Sequence, residues 1–220
     1  MIDQRRPTNA AAAVQEAPIG WTFFRQWLKN PLAIAALSPS SRRLARAMIS
    51  QLPDGARRIV ELGGGTGVFT RALLDHGVAP SDLLVIELNK ELHKLLARRF
   101  PEVHVERGDA RDIQTVIRSS GFGHGPPVDA IISGLGLLSM TRTVQRAILE
   151  AAFSVLGPDG RFIQFTYGPV SPVARDLLSD IGLNFRRASV AWLNVPPATV
   201  YVFTRNKSRG IHAVRAEPRI

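Results

Sequence analysis

The chain has 220 residues, 45% of them hydrophobic, which suits one sizeable core with short extensions. It contains no cysteine, excluding disulfide frameworks and thiolate metal sites, and its formal net charge of +10 calls for an anionic partner, either nucleic acid or a lipid surface. No run of about 18 apolar residues occurs and the first residues do not read as a secretory signal, so a cytoplasmic protein without a transmembrane helix is expected.

Residues 1–17 are Ala-rich without an apolar stripe and read as a flexible tail. Residues 18–30 are predicted to form an amphipathic helix. At about 100° per residue, Trp21, Phe23, Phe24, Trp27 and Leu28 share one face, while Arg25, Lys29, Thr22, Gln26 and Asn30 occupy the other. Rings flanked by Arg25 and Lys29 suit a helix at a membrane interface, where aromatics sit at headgroup depth and cations attract anionic lipid. Docking of the aromatic face onto the domain's own sheet is the other reading. Residues 1–50 hold seven Lys or Arg against two acids, a net +5 and half of the excess. A second helix is predicted with Ser38 as N-cap and Pro39 at its first position, turning Leu44, Met48, Ile49 and Leu52 inward. Residues 18–53 are thus expected to form an N-terminal helical extension that contacts the membrane.

From residue 54 onward, strands and helices alternate. A strand over 58–62 leads into a glycine turn and a helix through Thr70 and Leu74; a strand over 83–87 precedes a helix from Lys90 to Arg99. A strand over 103–106 runs into Gly108-Asp109, and Val128 to Ser133 reads as the fourth strand. A helix over 142–155 stops at Gly157-Pro158-Asp159-Gly160, whose turn chemistry is plain. A strand over 161–166, a helix near 172–181 and closing strands around 185–192 and 199–204 complete the domain, 54–206. The order implies an α/β fold with a mostly parallel, seven-stranded, Rossmann-like sheet and ligands at the carboxyl ends of the strands. The connection over 193–198 is too short for a parallel crossover, so the last strand should be antiparallel, as in class I S-adenosylmethionine-dependent methyltransferases. Residues 207–220 read as a basic, solvated tail.

The run Ile59-Val60-Glu61-Leu62-Gly63-Gly64-Gly65-Thr66-Gly67 is an apolar strand ending in a carboxylate and a glycine turn. A dinucleotide fingerprint needs a further glycine at 68, where Val68 stands. Glu61 would repel a pyrophosphate but can attract a cationic amino acid group, which S-adenosyl-L-methionine carries. Three acids end three successive strands: Glu61, then Glu87 followed by Leu88, then Asp109 followed by Ala110. Glu87 is placed to accept both hydrogen bonds of a ribose diol, Asp109 an adenine amine, and Glu61 the methionine ammonium directly or through water. The expected cofactor site is therefore Glu61, Gly63, Gly65, Thr66, Gly67, Glu87, Leu88, Asp109, Ala110, Ser133 and Gly134. Asp112 is expected to cap a helix and Asp129 to lie at the surface. The histidines at 76, 93, 104, 124 and 212 show no ligand spacing, and no metal site is expected.

The fourth strand ends in Ser133-Gly134-Leu135-Gly136-Leu137-Leu138-Ser139, an open, apolar mouth where the acceptor should sit. Methyltransferases acting on adenine amines have an Asn-Pro-Pro-aromatic segment there, which stacks the flipped base. Its absence opposes an rRNA adenine N6-methyltransferase, the alternative that the net charge and glycine motif favour. A lipid-binding module on a degenerate methyltransferase fold is a further rival, opposed by the intact acidic triplet.

Trp27-Leu28-Lys29-Asn30-Pro31, Ser38-Pro39-Ser40-Ser41, Glu61 to Gly67, Ser133-Gly134-Leu135 and Asn194-Val195-Pro196-Pro197-Ala198 together resemble the rhizobial-type bacterial phospholipid N-methyltransferases. The resemblance spans about residues 20–204, with Gly136 standing where proline is expected. It implies S-adenosylmethionine-dependent methylation of phosphatidylethanolamine, and of its mono- and dimethyl forms, towards phosphatidylcholine. The enzyme would be peripheral on the inner face of the cell membrane. Glu61, Gly63, Gly65 and Glu87 would bind cofactor and the N-terminal helix would contact lipid. Tyr167, at a strand end, is the candidate catalytic residue, orienting the amine. Tyr167, Trp192 and Tyr201 could offer aromatic faces to the methylated headgroup, and Arg42, Arg43, Arg186 or Arg187 a donor to the lipid phosphate.

Overall fold

A computed structural model describes residues 39–191 and 197–206. The expected tail 1–17, the helix 18–30 with Trp21, Phe23, Phe24, Arg25, Trp27, Leu28 and Lys29, the residue Trp192 and the tail 207–220 lie outside the described residues.

The first helix, α1 (Pro39–Ile49), buries Leu44, Ala45, Met48 and Ile49, one face at helical spacing. It stops at Ile49, so Leu52 lies beyond it in a turn, yet packs half-buried against the same cluster. Strands β1 (Ile59–Leu62), β2 (Leu83–Glu87), β3 (His104–Arg107), β4 (Val128–Ser133) and β5 (Leu156–Tyr167) are parallel. The last two, β6 (Leu183–Ala191) and β7 (Ala198–Arg205), complete one sheet in the order β3-β2-β1-β4-β5-β7-β6. As the short 193–198 connection requires, β7 is antiparallel, and it enters between β5 and β6.

The remaining helices are α2 (Val68–Asp75), α3 (Lys90–Arg99), α4 (Ile113–Ser119), α5 (Arg142–Val155) and α6 (Arg175–Asp180). Alternate strand residues face opposite ways, which gives the sheet two apolar layers. Leu62, Ile131, Phe162 and Tyr201 pack with α4, α5 and α6; Val85, Ile132, Ile163 and Val200 pack with α1, α2 and α3.

Several expectations need correction. The sequence reading places no helix at α4, because with only Ile113 and Val116 buried it has too little apolar period to stand out. Strand β5 begins at Leu156, opposite Val128, and the turn residues 157–160 bulge from it before pairing resumes at Ala130 and Arg161. Helix α6 is shorter than 172–181: it starts at Arg175, because Ala174 before it is extended, at φ −69° and ψ 144°. Asp112 occupies the N-cap of α4 without a side-chain hydrogen bond. Asp129 is not a solvated surface acid: its Oδ2 accepts the backbone N–H groups of Arg57 at 2.8 Å and Arg58 at 2.9 Å, tethering the approach to β1.

Candidate cofactor and acceptor site

The parallel strands end together, so Glu61, Glu87, Ser133 and Tyr167 come to one edge of the sheet. Pairing continues past the strands: the Gly63 N–H donates to Ile86 O and the Gly134 N–H to Leu62 O, each at 2.8 Å. The glycine turn then opens α2, with Gly67 at the N-cap in the left-handed region at φ 81°. A Cβ at Gly67 would stand 2.4 Å from Phe100 Cε2, and one at Gly134 would stand 2.8 Å from Gly63 O. The turn and the end of β4 are therefore in backbone contact, with no room for a side chain between them.

Glu87 holds this turn in place. Its Oε2 accepts the Gly65 N–H at 2.9 Å and its Oε1 the Asn89 N–H at 2.8 Å. Asn89 caps α3 in turn, its Oδ1 accepting from Glu91 N and Leu92 N. An ionised carboxylate offers about four acceptor positions, so two remain on Glu87 for a diol. The next residue, Leu88, is 63% exposed, an apolar surface beside that carboxylate.

Glu61 is fully buried. Its Oε2 accepts the Thr70 hydroxyl at 2.6 Å, while its Oε1 has no hydrogen-bond partner. Burial pushes its carboxyl up to about 8; the Thr70 hydrogen bond opposes the rise and the Glu87 charge adds to it. An orphaned acceptor in a buried carboxyl fits a cationic group or a water donated into the site. Asp109 stands at the end of β3, where its carboxylate accepts the Arg111 N–H at 2.9 Å and pairs with the Arg111 guanidinium at 2.7 Å. That pairing holds Asp109 below the usual carboxylate range. Ala110 opens the 3-10 turn that follows, and the Thr66 carbonyl accepts from Arg99 Nη1 at 3.0 Å.

On the acceptor side, Ser133 Oγ, fully buried, accepts the Leu135 N–H at 3.3 Å. Two buried glutamines that sequence reasoning passed over shape this mouth. Gln164 Nε2 donates to Leu135 O at 2.8 Å, and Gln145 Nε2 donates to Leu137 O at 2.8 Å, Pro172 O at 3.2 Å and Met140 O at 3.3 Å. Both carry a readable signal: a lone amide within Phe162-Ile163-Gln164-Phe165, and one on the apolar face of α5 with Ile148, Leu149 and Ala152. Thr70 and Asn89 are further omissions, the latter legible as a cap before Lys90.

Tyr167 closes β5, half-buried, its ring 5.5 Å from that of Phe165. Tyr201 is not at the mouth: it is 2% exposed, and its hydroxyl donates to Pro169 O at 2.6 Å, which makes it core. Among the arginines, Arg186 donates to Gln51 Oε1 at 2.9 Å beside Arg161, which binds Gln51 O from the first part of β5, away from the carboxyl edge. Arg42, Arg43 and Arg187 are exposed. No helix among the described residues is long and apolar enough to cross a membrane, and no group of three His, Asp or Glu among them could hold a metal.

A methyltransferase-domain family model matches residues 59–160, the segment from β1 through the bulge of β5. Ornithine lipid N-methyltransferase of Singulisphaera acidiphila is 31% identical over 185 residues, which cover 81% of this chain and 92% of that protein. Ribosomal RNA small subunit methyltransferase A of Synechococcus is 35% identical over 92 residues, only 40% of this chain and 29% of that enzyme. The crystal structure of a TehB-like S-adenosylmethionine-dependent methyltransferase from Corynebacterium glutamicum superposes with a TM-score of 0.57 at 20% identity. That superposition covers 85% of this chain and 98% of the other, and the likeness is one of fold. The glycine turn, the acids that end β1 and β2, and the near full-length relative make this chain an S-adenosylmethionine-dependent methyltransferase of the lipid N-methyltransferase family.

Proposed function

We propose that the protein methylates the amine of phosphatidylethanolamine and its mono- and dimethyl forms, towards phosphatidylcholine, from the inner surface of the cell membrane. The observation that carries this reading is the apolar, acid-free mouth after β4, from Ser133 to Met140, with Leu138 46% exposed on it. It suits a lipid headgroup arriving from a bilayer and lacks the segment that would stack a base. The helical spacing of aromatic and cationic residues in the sequence of 18–30 and the net charge of +10 support contact with an anionic membrane.

When bound, the cofactor supplies a sulfonium-activated methyl group. The residues of this chain hold, orient and exclude water. Glu87 and the glycine turn fix the nucleoside end, and Glu61 receives the ammonium. The acceptor amine must first shed a proton to water; its lone pair would then take the activated methyl carbon, with the S–C pair leaving on sulfur. Tyr167, at the end of β5, orients the amine.

A second lipid reading has its own support, since the relative from Singulisphaera is named for ornithine lipid, which also presents an amine at a membrane surface. Radiolabelled S-adenosylmethionine offered separately with phosphatidylethanolamine vesicles, ornithine lipid vesicles and rRNA distinguishes the readings. Label in phosphatidylethanolamine is the expected result. Label only in ornithine lipid moves the substrate, and label only in RNA ends the lipid reading.

A further inference from the structure

A file of three aromatic rings runs along the carboxyl edge from the end of β4 to the end of β5. Phe69, in the first turn of α2, places its Cε2 3.6 Å from where a Cβ of Gly134 would stand. Its ring centroid is 5.9 Å from that of Phe165, tilted by 57°, and Phe165 is 5.5 Å from Tyr167 at 80°. Phe165 is buried, whereas Phe69 and Tyr167 are each partly exposed. The file starts where Gly134 meets the glycine turn and ends at Tyr167, the last residue of β5.

The charge around it is as telling as the rings. Neither the loop after β4, residues 134–140, nor the loop after β5, residues 168–174, contains an Asp or Glu. In the reading above, the open Glu61 Oε1 and the two remaining acceptor positions of Glu87 serve the cofactor's ammonium and ribose diol, so with cofactor bound neither carboxylate is offered to the acceptor. A cationic amine entering here meets aromatic faces rather than a carboxylate.

That distinction matters for an acceptor methylated more than once. A carboxylate grips N–H donors, and each round removes one until a trimethylated nitrogen has none. The negative face of an aromatic ring attracts the cation without needing an N–H. It also holds the proton of the incoming amine less strongly than an adjacent carboxylate would.

We propose that Phe69, Phe165 and Tyr167 form the subsite for the methylated ammonium of the acceptor, selecting partly methylated over unmethylated amine and carrying the reaction beyond its first round. The proposal rests on the lipid-amine reading above. Its geometric content is that the rings, and not the Tyr167 hydroxyl, recognise the cation.

The test uses the full chain with vesicles of phosphatidylethanolamine or of its mono- or dimethyl form, and compares Phe69→Leu, Tyr167→Leu and Tyr167→Phe with wild type. Phe69→Leu and Tyr167→Leu should lower kcat/KM for the dimethyl acceptor about 10-fold more than for the unmethylated one, the ratio expected from losing one cation–ring contact. Tyr167→Phe should keep the wild-type ratio, and calorimetric affinity for S-adenosylmethionine should stay unchanged in all three. Equal losses on every acceptor, or a ratio altered by Tyr167→Phe, would overturn the subsite. Phosphocholine, titrated by NMR against the S-adenosylhomocysteine complex, probes the same rings without any membrane. Binding weakened by Tyr167→Leu and kept by Tyr167→Phe supports the subsite even if wild type labels no lipid, an outcome that would sink the lipid-amine reading alone. No phosphocholine binding to wild type overturns the subsite.

Discussion

Glu61 and Thr70 share a 2.6 Å hydrogen bond where water does not reach, and the second Glu61 oxygen meets no donor. In the folded chain this carboxyl keeps its proton up to about pH 8, whereas in the unfolded chain it ionises near 4.5. Between those values the native state binds the extra proton, so its contribution to stability is fully present at acid pH and is lost as pH rises through about 8. Urea midpoints of wild type and Glu61→Gln, measured from pH 5 to 8.5, should converge from the acid side as wild type loses its advantage. Parallel curves would refute the buried proton.

A cofactor ammonium beside Glu61 stabilises the ionised carboxyl. Binding of S-adenosylmethionine at pH 6.5 should therefore release about one proton. Calorimetry in two buffers of different ionisation heat reads that number directly, and equal heats in both would remove Glu61 from the ammonium site.

Glu87→Ala should weaken S-adenosylmethionine binding by about 100-fold, since two hydrogen bonds to a charged acceptor contribute about 3 kcal/mol together. The same change frees the Gly65 and Asn89 N–H groups that Glu87 holds. Titration calorimetry decides it, and an unchanged affinity would rule out the ribose assignment.

Gln145→Leu takes the side-chain donor from the carbonyls of Met140 and Pro172 and leaves Leu137 O with the Met140 N–H alone. We expect a loss of about 3 kcal/mol in urea unfolding, because buried acceptors left without donors cost about 1–3 kcal/mol each and relax only in part. Cofactor affinity should hold, as the glycine turn and Glu87 lie elsewhere on the edge. A loss below about 0.5 kcal/mol would show that the two loops do not depend on this amide.

Gly67→Ala should cost about 2 kcal/mol, from a left-handed backbone and from a methyl group driven into Phe100. Thermal unfolding of the variant is the measurement, and a melting temperature equal to wild type would mean that the turn can rearrange.

Much of this architecture was legible in the residues. Strand β2, helix α3 and strand β4 have the predicted bounds, because Asn89 caps one helix and continuous apolar runs end in Glu87 and Ser133. The three strand-end acids came to the expected edge for the same reason: parallel strands starting in register finish in register. The entry of β7 between β5 and β6 was not legible, since the choice of neighbours is a long-range packing decision. Tyr201 was misplaced for the same cause: one residue of register decides which side of a strand faces a helix. Pairings across nine residues, as for Glu61 and Thr70, or between separate loops, as at Gln145, leave only faint marks on a sequence.

The position of β7 bears on how the chain acquires its shape during synthesis. Its hydrogen bonds join β5 to β6, and its last residue, Arg205, donates to the carbonyls of Phe153, Leu156 and Gly157 at the end of α5. Until residue 205 leaves the ribosome, β5 presents an unpaired edge, β6 has no neighbour in the sheet, and the end of α5 is unstapled. Without β7 the sheet would end on the open edge of β5, and one strand both seals that edge and ties β6 to it.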